Sequence, residues 1–92
     1  MKTYIAGPMT GIPEFNRAAF YKAAYKLAHQ QVTVINPAIL PLGLERREYM
    51  DICFAMLRAA DEIYMLRGWE NSKDATAELA YAKTLGIQIS YE

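Results

Sequence analysis

Cysteine, histidine and tryptophan are scarce in this sequence of 92 residues, which contains one of each. Cys53 has no second cysteine with which to form a disulfide inside the chain. One cysteine with one histidine, His29, is also too few to supply the usual ligands of a zinc site. We therefore expect no metal centre, and we predict that the protein needs no cofactor.

An excess of either charge is absent too, because ten basic residues balance ten acidic ones. Proteins that grip polymeric nucleic acid need a basic face, so we expect no such partner. A small anionic ligand stays possible, because a helix N-terminus can bind one phosphate without net positive charge. No apolar run approaches the roughly 20 residues of a membrane span, and no signal-like segment leads into the first strand. We expect a cytoplasmic protein without a membrane partner.

Hydrophobic residues are plentiful at 53%, against 22% charged, which is typical of a globular protein. No repeat, low-complexity stretch or long linker divides the chain, so we predict one domain over residues 1–92. Strand-like and helix-like segments alternate along it. The predicted strands are 3–7, 32–36, 62–66 and 87–91, and the predicted helices are 16–30, 45–60 and 73–85, with Asn16 and Ser72 as candidate N-caps and Gly86 as the last C-cap.

This alternation predicts an α/β fold with right-handed crossovers, a flavodoxin-like three-layer α/β/α sandwich. Its four-stranded parallel sheet should have the order 2-1-3-4. The segment EIYML at 62–66 shows no polar alternation, which indicates a central strand, whereas Gln88 and Ser90 suggest that the last strand is an edge. Ligands of such sheets bind beyond the carboxyl ends of the strands where the order reverses, here between strands 1 and 3. The loops GPMTG at 7–11 and RGWENS at 67–72 should meet there.

Glu78 is the main candidate for chemistry. It lies on the helix face between Ala75 and Ala82, beside Leu79, where an apolar residue would be expected. Since a helix turns about 100° per residue, the carboxylate should point toward the sheet near the GP turn. A carboxylate held in a dry pocket without a strong cation partner is a plausible nucleophile. The alternative is that Glu78 extends to solvent at the edge of the apolar stripe.

The first loop supplies Gly7, Pro8, Met9 and Thr10 as candidate substrate-binding residues. A small residue directly after strand 1 allows a ligand to approach the backbone, although a simple tight turn explains Gly7-Pro8 equally well. The loop has neither the glycine spacing of a dinucleotide-binding motif nor the ending of a P-loop. By itself, the loop sequence is therefore weak evidence for a ligand site.

Aromatic and hydroxyl side chains near the same edge form a second group, with Tyr4, Phe15, Trp69 and Ser72 as its members. Trp69 could stack on a flat ligand, or it could simply cover the core. The simpler interpretation of Tyr4 is that it belongs to the core. The functional interpretation is that its hydroxyl lies near the pocket. Ser72 could touch a ligand as well as cap its helix.

The remaining acidic candidates are Asp51, Asp61, Glu70 and Asp74. Asp61 precedes strand 3 and should lie at the opposite end of the sheet. Arg67 follows that strand, where it could meet an anion, although an ordinary surface charge is the simpler interpretation.

YIAGPMTG at 4–11 and AADEIYMLRGWENSKDATAELAYAKTLG at 59–86 resemble the nucleoside 2-deoxyribosyltransferase-like superfamily, in particular its small DUF4406 branch. The resemblance extends over nearly the whole chain. It implies that a helix glutamate, matching Glu78, attacks the anomeric carbon of a 2-deoxyribonucleoside or its 5'-phosphate. The sugar then passes to another base or to water. It also implies that Tyr4 orients the nucleophile, that Gly7 matches the glycine after the strand, and that Ser72 contacts sugar or phosphate.

Three positions depart from the pattern that the resemblance implies. Cys53 stands where the second helix should carry an aspartate, and Asp74 stands where a glycine is usual. Thr10 replaces a cationic residue that some related hydrolases use for phosphate. These departures favour nucleotide binding more than catalysis, and they weaken the expectation of a 5'-phosphate.

Three functions follow as hypotheses. The first is cleavage or exchange of the N-glycosidic bond of a small nucleoside or nucleotide, with Glu78 as the nucleophile; Asp51 and Glu70 are guesses for the acid. The second is a non-catalytic nucleotide-binding or sensing module, and the third is a structural or interaction protein. The resemblance also implies a homodimer or a higher homo-oligomer in which a neighbour completes the site.

Overall fold

The computed structural model describes residues 1–92, and every predicted strand and helix is present. The boundaries differ from the predicted ones by two residues at most, because terminal turns are the least regular parts of each element. Single turns at Pro13–Asn16, Pro37–Ile39 and Trp69–Asn71 connect some of them. The elements are β1 (Lys2–Ala6), α1 (Arg17–Ala28), β2 (Thr33–Ile35), α2 (Arg46–Arg58), β3 (Glu62–Met65), α3 (Lys73–Leu85) and β4 (Gln88–Tyr91).

The four strands form one parallel sheet in the order β2-β1-β3-β4, which confirms the predicted topology. Tyr4 lies opposite Ile35 on one side and Ile63 on the other, so it is at the centre of the sheet. β4 is an edge strand, as its polar residues suggested. The two inner strands therefore end side by side.

Helices cover both faces of the sheet, which confirms the three-layer α/β/α architecture. Because side chains alternate across a strand, Tyr4 and Ala6 face α2 and α3, whereas Ile5 faces α1. Two separate cores result. The first contains Tyr4, Ala6, Cys53, Leu57, Ala60, Ile63, Met65, Ala75, Leu79 and Ala82, and the second contains Ile5, Phe20, Ala23, Leu27, Ala38, Tyr64 and Leu66.

The ends of α3 follow the sequence signals, whereas the start of α1 does not. Ser72 Oγ accepts a hydrogen bond from the amide of Ala75 at 3.1 Å, and Gly86 ends the helix with φ of 73°. Asn16 occupies the N-cap position of α1, but the prediction that its side chain caps the helix is wrong. Its backbone is left-handed, and its Nδ2 instead donates to the carbonyl of Pro8 at 2.9 Å.

No helix is long and apolar enough to cross a membrane.

Candidate active site

A cavity of about 490 Å³ lies beyond the carboxyl ends of β1 and β2. This volume is in the usual range for small-molecule sites. Its walls come from the segments that follow these two strands and from the facing turns of α1, α2 and α3. The lining residues are Tyr4, Ile5, Ala6, Gly7, Met9, Thr10, Phe15, Arg17, Phe20, Pro37, Leu40, Leu42, Gly43, Leu44, Arg46, Tyr49, Met50, Cys53, Ser72, Asp74 and Glu78.

Tyr4 and Glu78 form a hydrogen-bonded pair in the wall of this cavity. The Tyr4 hydroxyl donates to Glu78 Oε2 at 2.5 Å, a distance typical of a bond to a carboxylate. Tyr4 is fully buried and Glu78 is only 5% exposed, so Glu78 does not extend into solvent. The two side chains meet because β1 directs Tyr4 toward α3 while Glu78 lies on the inward face of that helix.

Burial raises the pKa of the Glu78 carboxyl to about 7, because an anion is costly where water is excluded. The hydrogen bond from Tyr4 opposes this change by stabilising the ionised form, whereas the negative charge of Asp74 adds to it. No ion pair involves Glu78. A carboxyl group with a pKa close to neutrality is ionised in a large fraction of molecules and is more basic than an exposed carboxylate.

The two other groups beside Glu78 stay protonated at neutral pH. Burial raises the pKa of the Tyr4 phenol well above its usual value, and the nearby charge of Glu78 raises it further. Burial also raises the pKa of the Cys53 thiol to about 11. Tyr4 is therefore a hydrogen-bond donor to Glu78, and Cys53 contributes a neutral, mostly apolar side chain to the cavity wall.

Arg46 and Asp74 pair across the cavity wall, one from the start of α2 and the other from the start of α3. Arg46 Nη2 donates to Asp74 Oδ1 at 2.6 Å, and its Nε donates to the same oxygen at 3.1 Å. Arg46 is well exposed, whereas the Asp74 side chain is 28% exposed. This contact occupies the guanidinium of Arg46 and partly offsets the charge that Asp74 places near Glu78.

The cavity brings together most of the residues that the sequence indicated. Gly7, Met9, Thr10 and Ser72 line it together with Tyr4 and Glu78. Pro8 and Trp69 do not line it. The Trp69 ring packs on the first core and against Tyr91, with ring centroids 6.0 Å apart, so it covers the end of the sheet.

Gly7 is required by packing against the neighbouring strand end. A Cβ atom added at Gly7 would lie 2.7 Å from Leu66 Cβ, which is closer than carbon atoms can approach. This contact explains why no side chain follows β1 directly. Gly7 is buried and is also part of the cavity lining.

The other ionisable candidates lie outside the cavity. Asp51 and Glu70 are exposed and absent from the lining, so neither is positioned to protonate a ligand there. Asp61 accepts from the backbone amide of Lys2 at 2.9 Å, at the amino ends of the strands, as expected. Arg67 is exposed and contributes its amide to Glu92 at 2.8 Å.

Sequence reasoning missed the segment from Pro37 to Leu44 and the residue Arg17. The segment contributes five lining residues where the second loop was expected from 67–72, of which only Ser72 takes part. The apolar sequence ILPLGL could have indicated that this segment lines a cavity, because a surface loop does not usually contain so many apolar side chains. Arg17 carried no signal, since a basic residue near a helix start looks like an ordinary surface charge.

No group of three histidine, cysteine, aspartate or glutamate side chains comes together in a way that could hold a metal ion. The ionisable side chains that line the cavity are the carboxyl groups of Glu78 and Asp74, the phenols of Tyr4 and Tyr49, the thiol of Cys53 and the guanidinium groups of Arg17 and Arg46.

A family model described as a domain of unknown function, DUF4406, matches residues 1–91. No curated protein sequence matches the chain. Among solved structures, the chain is similar to a 2-desoxiribosyltransferase from Leishmania mexicana, with a TM-score of 0.78 and 23% sequence identity. The match covers 98% of this chain and 62% of that protein, so this chain spans less than two thirds of the relative's length. At this identity, the similarity shows a shared fold.

Proposed function

This chain belongs to the DUF4406 family and has a deoxyribosyltransferase-like fold, and from these premises we propose that it cleaves or exchanges the N-glycosidic bond of a small nucleoside or nucleotide. The observation that carries the proposal is the buried hydrogen bond between Tyr4 and Glu78 in the cavity wall. A buried carboxylate without an ion-pair partner destabilises the fold, and a ligand-binding cavity gives it a use.

In the proposed reaction, a Glu78 oxygen attacks the anomeric carbon of the sugar as the bond from that carbon to the base breaks. The base leaves with the bonding electrons and takes up a proton, and an ester joins the sugar to Glu78. Water or a second base then attacks the same carbon, loses a proton and releases Glu78 as a carboxylate. Hydrolysis and exchange thus differ only in whether water or a second base takes the sugar from Glu78.

Tyr4 would position the nucleophile and hold part of its charge. Its hydroxyl already contacts Oε2, which leaves Oε1 as the oxygen that can attack. Apart from Glu78, the lining contains one carboxyl group, that of Asp74. Asp51 and Glu70 lie outside the cavity. We assign Gly7, Met9, Thr10 and Ser72 to substrate binding, with Pro8 and Trp69 supporting the two loops.

The test is to incubate the protein with deoxy- and ribonucleosides and their monophosphates, and to follow free base by chromatography. Glu78→Gln is the first control because it keeps the side-chain shape and removes the nucleophile. Asp51→Asn is the matched control, since it removes an exposed carboxylate outside the cavity. Release by the wild type and by Asp51→Asn, but not by Glu78→Gln, is expected. Equal release by the folded Glu78→Gln variant would contradict the proposal.

A non-catalytic nucleotide-binding module is the second candidate function. Cys53 favours it, because a thiol whose pKa is raised to about 11 cannot replace the aspartate that the resemblance implies. The same incubation separates the two, since saturable nucleotide binding with no release of base from any compound would assign the protein to this class.

We further propose that the protein is a homo-oligomer, with a second copy beside the cavity. Ile39 and Leu42 are 67% and 63% exposed in the segment that forms one cavity wall. Covering such side chains would stabilise a dimer through the hydrophobic effect. Sedimentation that gives the mass of one chain at micromolar concentration would exclude a homo-oligomer.

We also propose that the protein is located in the cytoplasm, where nucleosides are available. Cell fractionation tests this location.

A further inference from the structure

The segment that leads into α1 has a strained backbone beside the cavity. Glu14, Phe15 and Asn16 all have positive φ, at 54°, 55° and 59°. Left-handed backbone costs a residue with a side chain on the order of 1 kcal/mol or more, and such strain is concentrated at functional sites. Here the bond from Asn16 Nδ2 to the Pro8 carbonyl helps to hold the turn.

This turn places an aromatic ring in the cavity wall without burying it. Phe15 lines the cavity and is still 45% exposed. Packing in the core does not explain a phenylalanine that is both strained and half exposed. Its ring is available to stack on a flat ligand, which Trp69 is not, because Trp69 packs against Tyr91 outside the cavity.

Arg17 follows the turn and has an incompletely satisfied side chain. Its Nη2 donates to the carbonyl of Leu40 at 3.2 Å, but no carboxylate forms an ion pair with it. Its Nε is the one buried side-chain nitrogen or oxygen in the chain that has no hydrogen-bond partner. The guanidinium carbon lies 5.8 Å from the centroid of the Phe15 ring. An aromatic ring and an unpaired donor group are thus adjacent in one wall of the cavity.

We propose that Phe15 and Arg17 recognise the leaving nucleobase, with Phe15 against its face and Arg17 donating to an oxo group on its edge. This inference rests on the proposed function, because it takes the sugar to lie at Glu78. A guanidinium can only donate, so it pairs with a carbonyl oxygen and a ring nitrogen and cannot pair with an amino group. The base with the better fit is therefore a 6-oxopurine such as hypoxanthine, in preference to adenine.

The surroundings of Arg17 favour a base over a phosphate as its ligand. The Phe15 ring lies beside its guanidinium and the backbone carbonyl of Leu40 accepts from it, and a flat, weakly hydrated ligand matches this setting. The other arginine of the cavity, Arg46, is already held by Asp74. Asp74 also places negative charge near Glu78, which disfavours a phosphate at that wall.

The experiment is calorimetric titration of the full chain with free hypoxanthine and free adenine, which differ at C6. The wild type should bind hypoxanthine roughly 5- to 100-fold more tightly, the discrimination expected of a bidentate arginine contact. Arg17→Met should bring the ratio of affinities close to one, and Arg58→Met, which alters an exposed arginine outside the cavity, should leave it unchanged. If Arg17→Met does not fold, Arg17→Lys replaces it in the experiment. Lysine keeps the positive charge but lacks the paired N–H donors of the guanidinium, so it should lower the ratio of the two affinities.

A second variant tests the stacking separately. Phe15→Asn removes the ring and keeps a residue that tolerates positive φ, so the turn should survive. It should weaken both bases by a similar factor, roughly 5- to 100-fold, and leave their ratio unchanged.

Two results would overturn the inference: equal affinities for the two bases in the wild type, or an unchanged ratio in folded Arg17→Met. Base release is measured independently. A hypoxanthine preference that depends on Arg17, with no release of base, would retain this inference and reject the catalytic proposal. Release of base without that preference would do the reverse.

Discussion

The Tyr4 hydroxyl donates a 2.5 Å hydrogen bond to the carboxylate of Glu78, which is 74 residues further along the chain. One group comes from an inner strand and the other from the last helix, and both side chains are buried. The bond therefore reports the correct packing of α3 on the sheet. It also lowers the pKa of Glu78, the one buried carboxyl group in the cavity, on which most of the predictions below depend.

Tyr4→Phe should shift the pH dependence of base release toward higher pH. The wild-type rate should decrease at pH values lower than about 7. Burial raises the pKa of Glu78 to about 7, and only the ionised form attacks. The Tyr4 hydrogen bond lowers that pKa, so its removal should move the acidic limb of kcat/KM upward by about one pH unit or more. Tyr81→Phe is the control, because Tyr81 lies outside the cavity. An unmoved limb in Tyr4→Phe would show that Glu78 is not the group that titrates.

Asp74→Asn should shift the same limb in the opposite direction. The charge of Asp74 raises the pKa of Glu78, so its removal should move the limb to lower pH by a fraction of a unit, on the order of 0.5. The substitution also frees the guanidinium of Arg46, which acts in the same direction. The measurement is the pH profile of kcat/KM beside that of Asp51→Asn, which should match the wild type. A shift to higher pH would mean that Asp74 acts in some way other than through its charge.

Glu78→Gln should stabilise the protein at alkaline pH. The pKa of Glu78 is raised from 4.5 in the unfolded chain to about 7 in the folded protein, so the folded state holds the proton more tightly. Its contribution is present in full below pH 4.5 and is lost as the pH rises through about 7. The loss amounts to about 3 kcal/mol, and glutamine avoids it. Urea unfolding of both proteins at pH 4.5 and pH 8.5 measures the change. A difference in unfolding free energy that does not vary with pH would contradict the burial of an ionisable Glu78.

Gly7→Ala should destabilise the fold by about 1 to 3 kcal/mol, because the new methyl group would overlap Leu66. The check is a double-mutant cycle by chemical denaturation with Leu66→Ala, which removes most of the obstructing side chain. The double variant should be more stable than the sum of the two single effects predicts. If the two effects simply add, the close contact between these strand ends does not set the requirement for glycine.

Local signals in the sequence predicted the architecture correctly. Hydrophobic periodicity separated strands from helices, and the lack of polar alternation in EIYML identified β3 as an inner strand. The alternation of elements then left few parallel topologies, and the observed order is the predicted one. The cap at Ser72 also followed, because a cap forms between residues three positions apart.

The candidate site was only partly accessible from the same signals. Glu78 could be singled out because helical geometry alone predicts the direction of its side chain. Trp69 could not be oriented, since its loop has no periodicity and its ring packs against Tyr91, 22 positions away. Asn16 was misjudged as a cap for a similar reason, because its side chain is used by the carbonyl of Pro8.

The strands, the helices, their order and the inward face of α3 could thus be predicted, because all of them depend on neighbours along the chain. The contact of Glu78 with Tyr4, the closure of the cavity by the segment from Pro37 to Leu44, and the lack of a carboxylate partner for Arg17 could be seen only in the folded structure. These features depend on distances between segments remote in sequence. Loops have no repeating geometry from which such distances follow, so packing of the whole chain sets them.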